Sequence, residues 1–245
     1  METRFAHIYS KGERVIFRNE DDYVSFNNKL AAESYFTKVG IIGMAIMSTH
    51  FNCVVEYYSD DMLQNFKERI KKSYCIAYSR KYSGRIAEVF NISSAIIEDV
   101  YALKRTLVYV LKNPVHHKVT DFATRYEFSS ASTFFMNELY PAEMIDLYMK
   151  NLVRIGDTIG RRRRKITIGQ VLPDNWLVDE KDMILPLSYL KIGRARAVWN
   201  GYVSQFLYDM NASTRDAQQE IIPEDVLVLK SRSYDDMGVC RIIDT

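Results

Sequence analysis

In the first half of the chain, short apolar runs alternate with stretches in which apolar residues recur at helical spacing. Residues 4–10 and 13–17, around "SKGER", read as two short strands or a strand and a bend. The acidic start at Glu20–Asp22 opens a helix predicted to reach about Phe36, because carboxylates favour a helix N-terminus. Ile41 to Met47, "IIGMAIM", is a continuous apolar run of the kind a buried strand shows. Ser48-Thr49 marks a turn, and His50 to Tyr57 reads as the next strand. Ser59-Asp60 caps a helix predicted to run to about Tyr82, with Met62, Phe66, Ile70 and Tyr74 at helical spacing. A further helix is expected from about Ser94 to Pro114, since the residue before proline disfavours the α conformation.

The pattern then changes. A helix is expected from Pro141 to Ile155, loops in "VLPDNWLVD" and "DMILPLSYL", and a helix from Ile192 to Met210. "STRDAQQEIIPED" reads as a linker into a last short segment, "VLVLKSRS". The fold class expected is α+β, built on antiparallel hairpins over the first ~130 residues and mainly helical afterwards. The preferred boundary divides residues 1–138 from an extension, 139–245, of unassigned role.

Composition narrows the function classes. Hydrophobic residues make up 47% and charged residues 26%, enough for a real core without disulfides or metals. Cys53, Cys75 and Cys240 are odd in number and widely spaced, which points to a reduced, cytoplasmic protein. The start, "METRFAHIYSKGERVIF", has no apolar signal region, and no run of 18 apolar residues could span a membrane. Glycine-rich phosphate loops, GxSxG elbows and paired-cysteine metal motifs are missing, which removes NTPase, serine hydrolase and zinc-finger readings. Net charge is only +2, but Arg161, Arg162, Arg163, Arg164 and Lys165 form a basic run, and Lys67, Arg69, Lys71, Lys72, Arg80, Lys81 and Arg85 another basic region. Basic runs with 13% aromatics suit single-stranded nucleic acid, where cations meet phosphates and rings stack on bases. The alternative for the arginines is an exposed connector.

Two constellations carry candidate chemistry. On the strand "HFNCVVEY", His50, Asn52, Val54 and Glu56 share one face and Phe51, Cys53, Val55 and Tyr57 the other, apolar one. His50 and Asn52 should therefore point away from the main core, about 7 Å apart along the strand, where they could hold a divalent cation or simply be surface residues. On the helix before Pro114, Val100, Leu103, Leu107, Val110 and Leu111 form the stripe expected to face the sheet. Tyr101, Arg105, Tyr109 and Asn113 fall at intervals of four and line another flank. That flank offers a nucleophile, a metal ligand and a phosphate clamp; the bland alternative is a row of half-buried side chains. A phenol, with a pKa of about 10, needs an activated electrophile, which a cation on a phosphodiester supplies.

The stretches "IMSTHFNCVV", "YVLKNPVHHKVT" and "YEFSSAS" resemble, in order and spacing, those of the REP-associated tyrosine transposases, relatives of the HUH single-strand transposases. The resemblance covers about residues 4–135, and "LPDNWLVDEKDMILPLSYL" is similar to an extension in longer members. It implies a ferredoxin-like antiparallel sheet with helices on one side. The implied activity is cleavage and rejoining of single-stranded or hairpin DNA through a covalent 5′-phosphotyrosine. By the same resemblance, Tyr109 is the nucleophile, and His50, Asn52 and Asn113 hold Mg²⁺ or Mn²⁺. Arg105, Lys112, His116, His117 and the run Arg161–Arg164 are the expected DNA contacts, in a monomer or homodimer with no membrane partner.

The chain departs from that pattern at three places, one of them His116-His117, which replace the usual basic and small residues after "NPV" and could contact phosphate or stand in for a lost ligand. Asn52 stands where the second histidine of the motif is expected, and Ser48-Thr49 replaces the usual Pro-Asn turn. An asparagine carbonyl suits a hard cation such as Mg²⁺ but is a weaker donor than imidazole for Mn²⁺. The expected consequence is weaker metal binding, a shift towards Mg²⁺, or a scaffold that binds DNA without cutting it. An RNA- or protein-binding module is the reading from another class.

Overall fold

A computed structural model of the chain describes residues 2–12 and 14–211. Its centre is a four-stranded antiparallel sheet of order β2-β3-β1-β4. The strands are β1 (Arg4–Ser10), β2 (Gly40–Ile46), β3 (Phe51–Tyr57) and β4 (Ile92–Ile97). Helices α1 (Glu20–Thr37) and α2 (Asp60–Tyr82) make the two crossovers. Two split βαβ units therefore interleave, with β3 between β1 and β2 and β1 between β3 and β4, which is the ferredoxin-like arrangement. The fold is α+β, as the sequence pattern implies.

Both crossover helices begin where the sequence places them. Glu20, Asp21 and Asp22 occupy the first turn of α1. The Ser59 side chain accepts the Met62 N–H at the start of α2, satisfying one of the amides that a helix N-terminus leaves free. Phe66, Ile70 and Tyr74 are buried, and with Phe26 of α1 and Phe51 of β3 they form an aromatic core under one sheet face. The Ser48-Thr49 turn is a two-residue hairpin loop, closed by Met47 N–H to His50 O at 2.7 Å and His50 N–H to Met47 O at 3.3 Å.

One expected element is replaced. The helix predicted from about Ser94 is instead a strand and then a helix: β4, and α3 (Val100–Leu111). "ISSAII" pairs with β1 from Phe5↔Ile97 to Ser10↔Ile92, so sheet pairing overrides the helical spacing of its apolar residues. Asp99 then starts α3 by accepting the Ala102 N–H at 2.6 Å. At the other end, Lys112 caps α3 and Pro114 begins the single turn α4 (Asn113–His116).

The second sheet face is also covered, which differs from the open face expected for His50 and Asn52. Helix α3 lies across β2 and β3 there, opposite to α1 and α2, and all of β3 is buried. Leu103, Leu107, Val110 and Leu111 of the predicted stripe are buried, but Val100 is 64% exposed at the helix start. The register explains how a helix fits. Gly43 and Ala45 of β2 pair with Val54 and Asn52 and so face α3, while Met44 and Ile46 pair with Cys53 and Phe51 on the aromatic side. A methyl group at Gly43 would overlap Leu107 Cδ1.

The extension begins with the helix Ala142–Lys150, shorter than expected, and includes a two-stranded sheet, β5 (Val153–Arg154) with β6 (Leu177–Val178), where "VLPDNWLVD" reads as loop. "DMILPLSYL" is mostly extended with one helical turn, Pro186–Tyr189, and the predicted 192–210 helix is broken into Ile192–Ala197 and Val203–Asn211. The break falls at Asn200 and Gly201, both with positive φ, 50° and 78°. The extension touches the sheet and its helices from three sides. Asn27 and Asn28 of α1 donate to Ile184 O and Asp182 O, Lys191 N–H bonds Ile41 O at the β2 edge, and Lys104 of α3 pairs with Asp209 at 3.3 Å. The expected linker and the segment "VLVLKSRS" lie outside the described residues.

Replacing Gly43 with valine is expected to push α3 off the sheet and to destabilise the protein by about 1–3 kcal/mol, the usual cost of overpacking. Urea unfolding checks this, with Ala45→Gly as a comparison that leaves the α3 contact open.

Candidate functional site

The hairpin turn, the two central strands and α3 bring the candidate residues together. Asn52 is buried on β3 with its side chain on the α3 face. His50, two residues ahead, lies half-buried between Thr49 Oγ1, 2.9 Å from its Nδ1, and Asn113 Oδ1, 3.0 Å from its Nε2. Asn113 heads α4, where the chain changes direction after α3, and is itself buried. Two of the residues expected as metal ligands, His50 and Asn113, are thus in direct contact.

Tyr109, on the last turn of α3, has its ring 5.6 Å from that of His116 and 6.0 Å from that of His7, the latter edge-on. His7 comes from β1 and was not legible as a site residue in the sequence. It stands opposite Val54 in the ladder, so it shares a face with Asn52, and its Nε2 lies 2.9 Å from Asn52 Oδ1. His117 completes the group, with its ring 5.0 Å from that of His50. All four histidines of the chain therefore gather around Tyr109, Asn52 and Asn113. The available signal for His7 was its parity on β1, which requires knowing that β1 and β3 are neighbours.

Burial sets the charge state of these groups. Loss of water around the rings moves His7, His50 and His116 from the usual 6.5 to about 4, with His117 adding to the effect on His50 and Lys112 to that on His116. The hydrogen bonds from His7 to Asn52 Oδ1 and from His50 to Asn113 Oδ1 oppose the shift without reversing it. All three rings are neutral at pH 7 and keep a lone pair for a proton or a cation. Burial also raises Tyr109, so its phenol is protonated at neutral pH and needs an acceptor for its proton.

The expected DNA contacts divide. Arg105 stacks on Tyr101, its guanidinium carbon 4.7 Å from the ring centre, and its buried Nε has no hydrogen-bond partner among the described residues. Lys112 is buried beside the site, where burial lowers its pKa against the pull of Asp209. The arginine run is a helix, Gly160–Ile166, not a connector. Arg162 pairs with Asp182 and Arg163 with Asp174, and Lys165 lies beside Asp21, Asp22 and Lys81 on the α1/α2 side. The run therefore sits across the sheet from Tyr109. On α2, Arg69 bonds Glu33 and Lys81 bonds Asp22, so part of that basic region serves packing.

Among the described residues, no three His, Cys, Asp or Glu side chains are grouped closely enough to hold a metal ion by themselves. The donors that fit a cation are mixed. His50 Nε2 and Asn113 Oδ1 stand 3.0 Å apart, the spacing of two neighbouring ligands about 2.1 Å from one octahedral ion. Asn52 Oδ1 accepts from His7, and a carbonyl oxygen has a second lone pair to offer. No helix among the described residues is long and apolar enough to cross a membrane.

No protein-family model and no curated protein matches the sequence. Among solved structures, the chain is similar to a REP-associated tyrosine transposase bound to a REP hairpin. The similarity has a TM-score of 0.45 and 15% sequence identity, over 57% of this chain and 82% of that one.

The depressed histidines make stability depend on pH. Their folded pKa values lie below the unfolded value, so the stabilisation is complete above about 6.5 and is lost as pH falls towards about 4. The melting temperature is expected to drop through that window, and His116→Asn to make the drop shallower, as calorimetry at a series of pH values would show.

Proposed function

We propose that the chain binds single-stranded or hairpin DNA and cleaves and rejoins it through Tyr109. The observation that carries this reading is the convergence of Tyr109 with four histidines and two asparagines on one sheet face. The motif resemblance of the sequence supports the same assignment from independent features. In the reaction, Tyr109 Oη bonds to phosphorus as the bond to the 3′ oxygen breaks, leaving a 5′-phosphotyrosine. A neutral imidazole beside the phenol, His116 or His7, takes the phenolic proton, and the departing 3′ oxygen gains one. Rejoining runs the same steps backwards with a 3′ hydroxyl as nucleophile.

The other residues position the strand. His50, Asn113 and Asn52 are the residues that would hold Mg²⁺ or Mn²⁺. A bound divalent ion supplies polarisation of a phosphate oxygen. Arg105 offers an unsatisfied buried donor for a neighbouring phosphate, and the exposed Tyr101 beneath it a ring for a base. Arg161 and Arg164 are exposed, with no ion pair among the described residues, and would contact only DNA that reaches round the molecule.

A second reading has an observation of its own. The asparagine at residue 52 and the raised pKa of Tyr109 both suit a DNA-binding protein that no longer cuts. Incubation with labelled single-stranded hairpins and Mg²⁺ or Mn²⁺, followed by a denaturing gel, separates the two. The proposal expects a covalent adduct that Tyr109→Phe abolishes. Tight hairpin binding with no adduct, unchanged by Tyr109→Phe, would replace it with the non-cutting reading.

A further inference from the structure

The helix Ala142–Lys150 opens the extension without burying a single one of its side chains among the described residues. It is not a polar helix, however. Met144, Leu147 and Tyr148 recur at helical spacing, and Leu139 and Tyr140 lead into them from the turn before. All five are exposed, Met144 by 56% and Leu147 by 62%. Tyr148 lies near the carboxylates of Asp179 and Glu127, which ties one side of the helix to the body and leaves Met144 and Leu147 outermost. A nine-residue helix is marginal in water unless an apolar face packs against something. Together the five side chains open on the order of 500 Å² of mostly apolar surface, a size at which a patch marks an interaction site. The face is built for a cover that no described residue supplies.

The charges beside the patch indicate what covers it. Glu143 stands in the first turn and Lys150 in the last, both exposed, seven residues apart and so on one side of the helix. Laid antiparallel against its own copy, about an axis between Asp146 and Leu147, the helix brings Glu143 level with Lys150 of the other copy, twice. A two-fold interface requires that self-complementarity, because whatever one copy offers at one end it must accept at the other. A parallel pair would set Glu143 against Glu143 and Lys150 against Lys150. Antiparallel helices also oppose their dipoles favourably. Leu147 falls beside the axis, where its two copies meet, with Met144 and Tyr148 flanking it. We infer that this helix face is the contact between two copies of the chain, paired antiparallel about Leu147. A standard interface takes about 800 Å² from each partner, so the patch with its charged rim accounts for most of one of modest size. Of the monomer and the homodimer that the sequence leaves open, the homodimer is selected, independently of the Tyr109 reading.

Sedimentation velocity of the full-length chain without DNA is the test, with wild type expected at twice the mass of one chain at micromolar concentration. Leu147→Glu sets two carboxylates together at the axis and is expected to weaken association about tenfold or more. It should do so without unfolding the monomer, as far-UV circular dichroism would show. Glu143→Lys is expected to weaken association several-fold by opposing like charges at both ends, and adding Lys150→Glu to that variant to restore it. A dimer indifferent to Leu147→Glu forms elsewhere and overturns the inference. A dimer that Leu147→Glu disrupts but Glu143→Lys does not overturns the antiparallel pairing. Wild-type protein that stays monomeric overturns the inference as well. If Leu147→Glu then lowers its melting temperature, a segment after Asn211 covers the face instead; if it does not, the occupant is a different protein. None of these outcomes bears on the Tyr109 adduct.

Discussion

The close seating of α3 on the sheet at Gly43 is the contact on which the rest of the site depends. Each of the seven polar side chains belongs to β1, to the β2–β3 hairpin and β3, or to α3 and the turns just after it. They meet only because β2 presents Gly43 and Ala45 towards the helix and reserves Met44 and Ile46 for the aromatic layer. That lets Leu107 approach the sheet backbone and carries Tyr109 and Asn113 down to the strands. A bulge between Ile41 and Gly43 sets the register of that strand, and residues 126–130 fix its outer edge through Phe128 O and Ser130 N–H. The "YEFSSAS" stretch thus holds the strand that holds the helix.

The chemistry of the site follows from that burial. Helix α3 shuts most water away from His7, His50 and His116, so these rings stay neutral, and the hydrogen bonds of His7 and His50 run to asparagines and a threonine. A site with that character repels neither a phosphate nor a phosphodiester, and it lacks the negative charge that would hold a cation tightly without a substrate. The extension braces the same helix from outside. Asp209 pairs with Lys104, takes the Trp199 N–H and draws on Lys112, so the helix Val203–Asn211 of the extension is tied to α3. In the arginine helix, in contrast, Arg162 and Arg163 pair with Asp182 and Asp174, and the helix lies on the other side of the sheet.

Much of this was readable in the sequence, for definable reasons. The acidic first turn and the Ser59 cap place α1 and α2 within a residue or two, because caps are local chemistry. The four-residue spacing puts Arg105 over Tyr101 and brings Asn113 after Tyr109, since both are short-range on a helix. Long-range facts were less accessible. "ISSAII" is a strand only because β1 offers it a ladder, and the face of His50 and Asn52 is covered only because α3 returns across it. The alternation of small and large residues in "IIGMAIM" was the available sign of a helix on each side, hidden inside a uniformly apolar run. His7 required the strand order itself, which no residue near it encodes.

The central claim is that Tyr109 carries the covalent bond to DNA. Peptide mapping by mass spectrometry, after reaction with a hairpin substrate and denaturation, tests it most directly. The account predicts a nucleotide attached through a 5′ phosphate to the peptide containing Tyr109 and to no other tyrosine. Attachment at Tyr101, Tyr9 or any other side chain would contradict it.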